Sequence, residues 1–169
     1  MSQASAPVAM NAFALLGYPP TLDMDASELQ ARFEHLRTQF HPDRFSQGSA
    51  LERRLAVQRA ADINAAFAQL ADPLKRAHHF YELQGLRLDD AQTMQDAEFL
   101  MQQMELREAL DDAHDAATRA ELRQQVERLW RHNWQTLPPG EETGDAASIL
   151  RSLQRLQFLQ RFLQQMEQA

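Results

Sequence analysis

The chain has 169 residues, with 17 Lys and Arg against 24 Asp and Glu for a formal net charge of −7, no Cys, seven Pro and only five Gly. A disulfide scaffold, a Cys-ligated metal or iron–sulfur site and a thiol enzyme are excluded outright, and a pI near 5.3 argues against a sequence-independent nucleic-acid binder, which needs a basic face to displace counterions from phosphate. With 44% hydrophobic and 24% charged residues the composition is globular, and no apolar run approaches the ~20 residues that span a bilayer. The opening Met1–Pro7 is too short and polar for a secretory signal and carries no Arg, so a soluble cytoplasmic protein without membrane association is expected.

Gly and Pro are so few that their clusters punctuate the chain. A short helix is expected over about 10–16, closed by Gly17, Pro19 and Pro20. The next, over 26–40, starts behind Asp25 with Glu28 three residues on, and carries Leu29, Phe33, Leu36 and Phe40 as one apolar stripe. It must stop at His41, because Pro42 has no N–H and pushes its predecessor out of the α region; Asp43 is expected to accept a backbone bond in an Asx-type turn. A helix over 50–71 follows the capping-box pair Ser49 and Glu52, with Leu51, Leu55, Ile63, Phe67 and Leu70 as its apolar side. Helices over 73–84, 97–113, 118–136 and 146–166 complete the set, the third opened by Thr118 with Glu121 and the last preceded by the break Pro138, Pro139, Gly140 and Gly144. No segment sustains the alternation of a strand, so the chain reads as all-α.

Residues 1–84 hold eight Lys or Arg against nine acids, for 8 − 9 = −1, whereas residues 85–169 hold nine against fifteen, for 9 − 15 = −6. Nine of those fifteen acids fall between Asp89 and Asp115, either as a solvated face or as a partner-selective surface. The expected organisation is a flexible segment over 1–10, an antiparallel helical hairpin domain with its linker over 11–85, and a three-helix bundle over 86–169.

Catalysis finds little support. His78 and His79 are adjacent, about 100° apart on a helix, and do not readily share a metal; they read as a partly exposed pair near the domain junction. His114 and His132 read as isolated surface residues, and Trp130 with Trp134 as packing. There is no Gly-rich phosphate loop, so no catalytic residue, metal site, cofactor or small-molecule substrate is expected. The tip His41-Pro42-Asp43 encloses nothing, which makes it a poor active site and either a bare helix stop or a docking device.

The helix over 97–113 is apolar on two sides. Leu106 and Leu110 each fall within about 20° of Phe99, while Leu100, Met101 and Met104 lie about 100–200° away, with Glu108 among them and Glu105 beside them. Such a helix is deeply buried or covered by a partner, and unpaired carboxylates oppose burial. In the last helix Ile149, Leu153, Leu156 and Leu163 form the inner stripe and Phe158 points about 180° from Ile149.

The chain resembles a known family at several places. Phe13-Ala-Leu-Leu-Gly17, Gln39-Phe40, His41-Pro42-Asp43-Arg44-Phe45 and the run Ile63-Asn-Ala-Ala-Phe67 through Asp72-Pro73-Leu-Lys-Arg76-Ala77 resemble, in order and spacing, the J domain of DnaJ-type co-chaperones. Phe99-Leu100-Met101, Glu105-Leu106-Arg107-Glu108 and Arg155-Leu156-Gln157-Phe158-Leu159 extend the resemblance, from about Ala12 to Leu163, to the HscB family of co-chaperones of iron–sulfur cluster assembly. The resemblance implies that His41, Pro42, Asp43 and Arg44, with Arg32 and Arg37 on the preceding helix, meet a DnaK-type, HscA-like chaperone and stimulate its ATPase. It implies that Leu100, Met101, Met104, Glu105, Glu108 and Phe158 bind an IscU-like iron–sulfur scaffold protein. Gln30, Glu34 and His35 stand where the generic J-domain family is basic, which favours a specialised chaperone partner. The competing reading is a J-like helical adaptor that binds a partner without stimulating a chaperone.

Overall fold

The structure of the chain, a computed structural model, describes residues 11–88, 96–139 and 145–168. Among these residues it is helical throughout, with α1 (Ala12–Leu15), α2 (Ala26–Gln39), a 3-10 turn (Pro42–Phe45), α3 (Ala50–Ala71), α4 (Pro73–Leu83), α5 (Ala97–Asp112), α6 (Ala116–Gln135) and α7 (Ala146–Gln168). The all-α expectation holds. The chain divides into two units, one ending at Leu83 and one beginning at Gln84. The segment 1–10, expected to be flexible, lies outside the described residues.

Helix starts follow from short polar side chains that accept the orphan N–H groups of a first turn. The Asp25 carboxylate accepts from the Glu28 N–H at 2.8 Å, and Ser49 with Glu52 forms a complete capping box, with bonds of 2.6 and 3.2 Å. The expected start at Thr118 is corrected. α6 begins two residues earlier, because the Asp115 carboxylate accepts from both the backbone N–H and the hydroxyl of Thr118, at 2.8 and 2.6 Å. An ionised acceptor at the positive end of a helix outcompetes a hydroxyl, and the same bonds hold the Asp115 carboxyl below the ordinary carboxylate range.

In the first unit α3 is the spine, packed by α1, α2 and α4. Phe13 of α1, Leu29 and Phe33 of α2, Ile63, Ala66 and Leu70 of α3, and Leu74, Ala77, Phe80 and Tyr81 of α4 are buried. Phe33 stacks on Phe67 with ring centroids 4.1 Å apart, which clamps α2 to α3. The expected apolar side of α3 needs one correction: Leu51 and Leu55 are 64% and 59% exposed, and Ala56 is buried instead. Measured from Ile63 at helical periodicity, Ala56 lies about 20° away while Leu55 and Leu51 drift about 80° and 120° off the stripe. Arg76 is buried among these elements, donating from Nε to the Leu22 carbonyl at 2.8 Å and from Nη1 to the Leu70 carbonyl at 2.7 Å. It ties the segment before α2 to the end of α3.

His79 also has an internal role. Its ring stacks on Phe13 at 5.4 Å and its Nε2 accepts the Ala12 N–H at 3.3 Å, fastening the first turn of α1. Burial pushes the imidazole below its ordinary value of 6.5, opposed by Glu82. Because the folded state favours the neutral ring, this contact stabilises fully above pH 6.5 and is lost as pH falls through that value toward the lower folded one. Thermal melts of wild type and His79→Gln between pH 7.5 and 5 are expected to converge toward the acid end, since Gln accepts the same bond without titrating.

In the second unit α6 and α7 pack along their lengths. Leu122, Val126, Leu159 and Phe162 form a buried cluster completed by Leu106 of α5. Ile149, Leu153 and Leu156 are buried as expected, but Leu163 is only partly so, and Leu150, Leu159 and Phe162 widen the buried arc. α7 meets a neighbour on each side, so its apolar surface is an arc and not a single stripe. Trp130 and Trp134 stack on one another at 5.2 Å and are half-buried.

Candidate functional site

The first candidate site is the tip between α2 and α3. His41 is extended, at φ −62° and ψ 130°, as the following proline requires, and Pro42 opens the 3-10 turn. The expected Asx turn does not form. Instead the His41 Nδ1 accepts the Asp43 N–H at 3.3 Å, and its carbonyl accepts the Arg44 N–H at 3.0 Å. The turn thus engages the local backbone donors and leaves the Asp43 carboxylate 92% exposed, 3.6 Å from the His41 Nδ1. His41, Pro42, Asp43 and Arg44 form one exposed polar knob, and at its base Arg59 lies over the Phe40 ring at 5.6 Å.

Two arginines of α2 were expected beside this knob. Arg37 is exposed, though paired with Glu34 at 2.7 Å. Arg32 is drawn inward: its guanidinium lies 3.9 Å from the centroid of the Tyr18 ring, donates to the Leu16 and Gly17 carbonyls, and pairs with Glu28 at 2.6 Å. Gly17 accepts this arrangement with a left-handed φ of 78°, which a side chain would strain. Arg32→Ala is accordingly expected to lower stability by about 1 kcal/mol, through loss of a partly exposed cation–π contact and its carbonyl bonds, as read by urea unfolding.

The second candidate site is α5. Asp96 caps it, accepting the Phe99 N–H at 3.1 Å and pairing with Arg155 of α7; both contacts hold the Asp96 carboxyl below its ordinary range. Phe99 and Leu106 are buried against the rest of the bundle. The opposite side of the same helix is bare: Leu100, Met101 and Met104 are 50%, 63% and 61% exposed, with Glu105 and Glu108 exposed beside them. The structure therefore brings five of the six predicted residues onto one open ridge. Phe158 is placed differently. Its ring is half-buried on the seam between α5 and α7, edge-on to Phe99 at 5.6 Å and tilted against Phe162 at 5.9 Å. On the α6 side, Glu98, Met101 and Glu105 border an open cleft of about 530 Å³ shared with His132 and Arg155. The Asp96–Arg155 pair that fixes the start of the ridge escaped the sequence reading, although an Asp three residues before Phe99 is an N-cap signal.

A family profile described as the HSCB C-terminal oligomerisation domain matches residues 95–167. The chain is 34% identical to the chaperone HscB from Vibrio cholerae, with a TM-score of 0.75 over 94% of this chain and 96% of that one. The chain belongs to the HscB family. The fold is shared with human co-chaperone protein HscB, at a TM-score of 0.83 and 24% identity, over 98% of this chain and 84% of that one. HscB proteins are co-chaperones in iron–sulfur cluster assembly, built as a J domain followed by a C-terminal helical domain, and they act with chaperone and scaffold partners. The predicted membership is thus correct. Among the described residues no helix is long and apolar enough to cross a membrane.

Proposed function

We propose that this HscB-family chain holds an IscU-type iron–sulfur scaffold protein on the α5 ridge, presents it to a specialised HscA-type chaperone, and stimulates that chaperone's ATPase through the His41-Pro42-Asp43 tip. The observation that carries this reading is a helix half committed to the core and half bare, with Leu100, Met101 and Met104 in water beside the exposed carboxylates of Glu105 and Glu108. An exposed apolar group of this kind marks an interaction surface, and methionine adapts to its partner. In this reading residues 11–85 act as the J domain with its linker, residues 86–169 as the client-binding bundle, and the protein works in the cytoplasm without a catalytic group of its own. His41, Pro42, Asp43 and Arg44 are the chaperone-facing set, with Arg37 above them and Arg32 as a positioning residue. The cluster is cargo of the scaffold and not a resident group of this thiol-free chain.

The test is the steady-state ATPase of a purified HscA-type chaperone with the full chain, alone and with an IscU-type scaffold. Stimulation by the chain, raised further by the scaffold, is expected; none by the wild type would leave the adaptor reading. The oligomerisation named in the matching family profile favours a second use of the same ridge, between two copies of the chain. Sedimentation equilibrium distinguishes it, since a dimer lost on changing Leu100 and Met104 would assign the ridge to self-association.

A further inference from the structure

On the α7 side of the α5 ridge the surface changes sign. A groove of about 290 Å³ runs between α5 and α7, lined by Arg107, Gln154, Gln157, Phe158, Arg161, Phe162 and Gln165. It contains two guanidinium groups and no carboxylate, in a half of the chain where acids outnumber bases fifteen to nine. Both arginines are exposed, and among the described residues neither forms an ion pair. Arg107 lies over the Phe158 ring at 5.7 Å, which preorganises its planar fork. On the other flank of the same helix, Glu98 and Glu105 border the larger cleft, whose Arg155 is paired with Asp96. The apolar ridge therefore runs between an acidic edge and a basic one.

We infer that the groove between Arg107 and Arg161 is a carboxylate-receiving subsite for the partner that sits on the ridge. An acidic side chain of that partner, next to its apolar patch, enters beside Phe158 and accepts from the two guanidiniums. Two cations facing one groove without a counter-charge repel each other, and a carboxylate placed between them relieves the repulsion and forms charge-assisted hydrogen bonds. Because the opposite edge is acidic, the partner fits in one orientation only: reversed, it would set like charges against each other on both edges. This assigns Phe158, held edge-on by Phe99 and against Phe162, the part of a platform beneath Arg107.

The subsite rests on the proposed scaffold binding, and the experiment separates the two. Titration calorimetry with a purified IscU-type scaffold at low and at physiological salt is run on wild type, Arg161→Gln, Arg107→Gln/Arg161→Gln and Arg107→Lys/Arg161→Lys. We expect roughly tenfold weakening in the double Gln variant, a smaller loss in Arg161→Gln, partial retention in the Lys pair, and a shallower salt dependence once the charges are gone. Arg161→Gln leaves the Arg107 contact with Phe158 intact, so the result stands even where the double variant is misfolded by circular dichroism. Wild-type binding with unchanged affinity and salt dependence in both Gln variants overturns the subsite alone; no wild-type binding overturns the scaffold reading and the subsite with it. A wild-type dimer that Arg161→Gln dissociates in the ultracentrifuge would give the groove to a second copy of the chain and overturn it too.

Discussion

Asp43→Asn is expected to reduce stimulation of the partner chaperone's ATPase at least about tenfold while leaving the fold untouched. The substitution keeps the size and shape of the side chain and removes only its charge. That charge does little within this molecule: the carboxylate is 92% exposed and its nearest recorded partner is an imidazole nitrogen at 3.6 Å. Stability should therefore move by no more than about 0.5 kcal/mol. A partner that donates to the carboxylate loses a charge-assisted bond of about 1.5–3 kcal/mol, on a knob whose other members are fixed by Pro42 and the 3-10 turn. Steady-state phosphate release measures the effect, with melting temperature as the control. Equal stimulation by wild type and variant would remove the tip from the mechanism.

Leu100→Ala combined with Met104→Ala is expected to weaken scaffold binding by at least about 2 kcal/mol, roughly thirtyfold in affinity, since central apolar anchors dominate such interfaces. Neither side chain supports the fold: both are at least half exposed, and alanine favours the helix. Helicity and melting temperature are thus expected to hold while calorimetric affinity falls. A matched change at Leu122, buried in the bundle core, would show the reverse pattern, with stability lost first. An unchanged affinity in the ridge variant would mean that the apolar side of α5 is not the binding surface.

The helices were legible in the sequence because scarce Gly and Pro mark their ends and short polar residues mark their starts. What the sequence did not disclose was competition between neighbours. Asp115 and Thr118 are both good caps, and only the folded chain shows the carboxylate accepting from Thr118. Arg32 carries the charge expected of a docking residue, yet Tyr18 and the Gly17 carbonyl, distant in sequence, claim it. Leu51 and Leu55 read as part of the apolar side of α3, yet the angular drift away from Ile63 over two to three turns carries them into solvent. The ridge was readable because Glu105 and Glu108 stand among its apolar residues, a conflict visible without coordinates. The basic groove was not, since Arg107 and Arg161 are far apart in sequence and converge only through the packing of α5 on α7.

The composition of the ridge has a chemical consequence. A chain with no thiol still presents two sulfur atoms to solvent at its bare apolar surface, on Met101 and Met104. Peroxide converts such thioethers to sulfoxides, which are polar and chiral, and methionine sulfoxide reductases reverse the change. Oxidants that threaten iron–sulfur clusters would thus also turn this surface from greasy to wet, and the scaffold binding proposed for it would weaken until the sulfurs are reduced again.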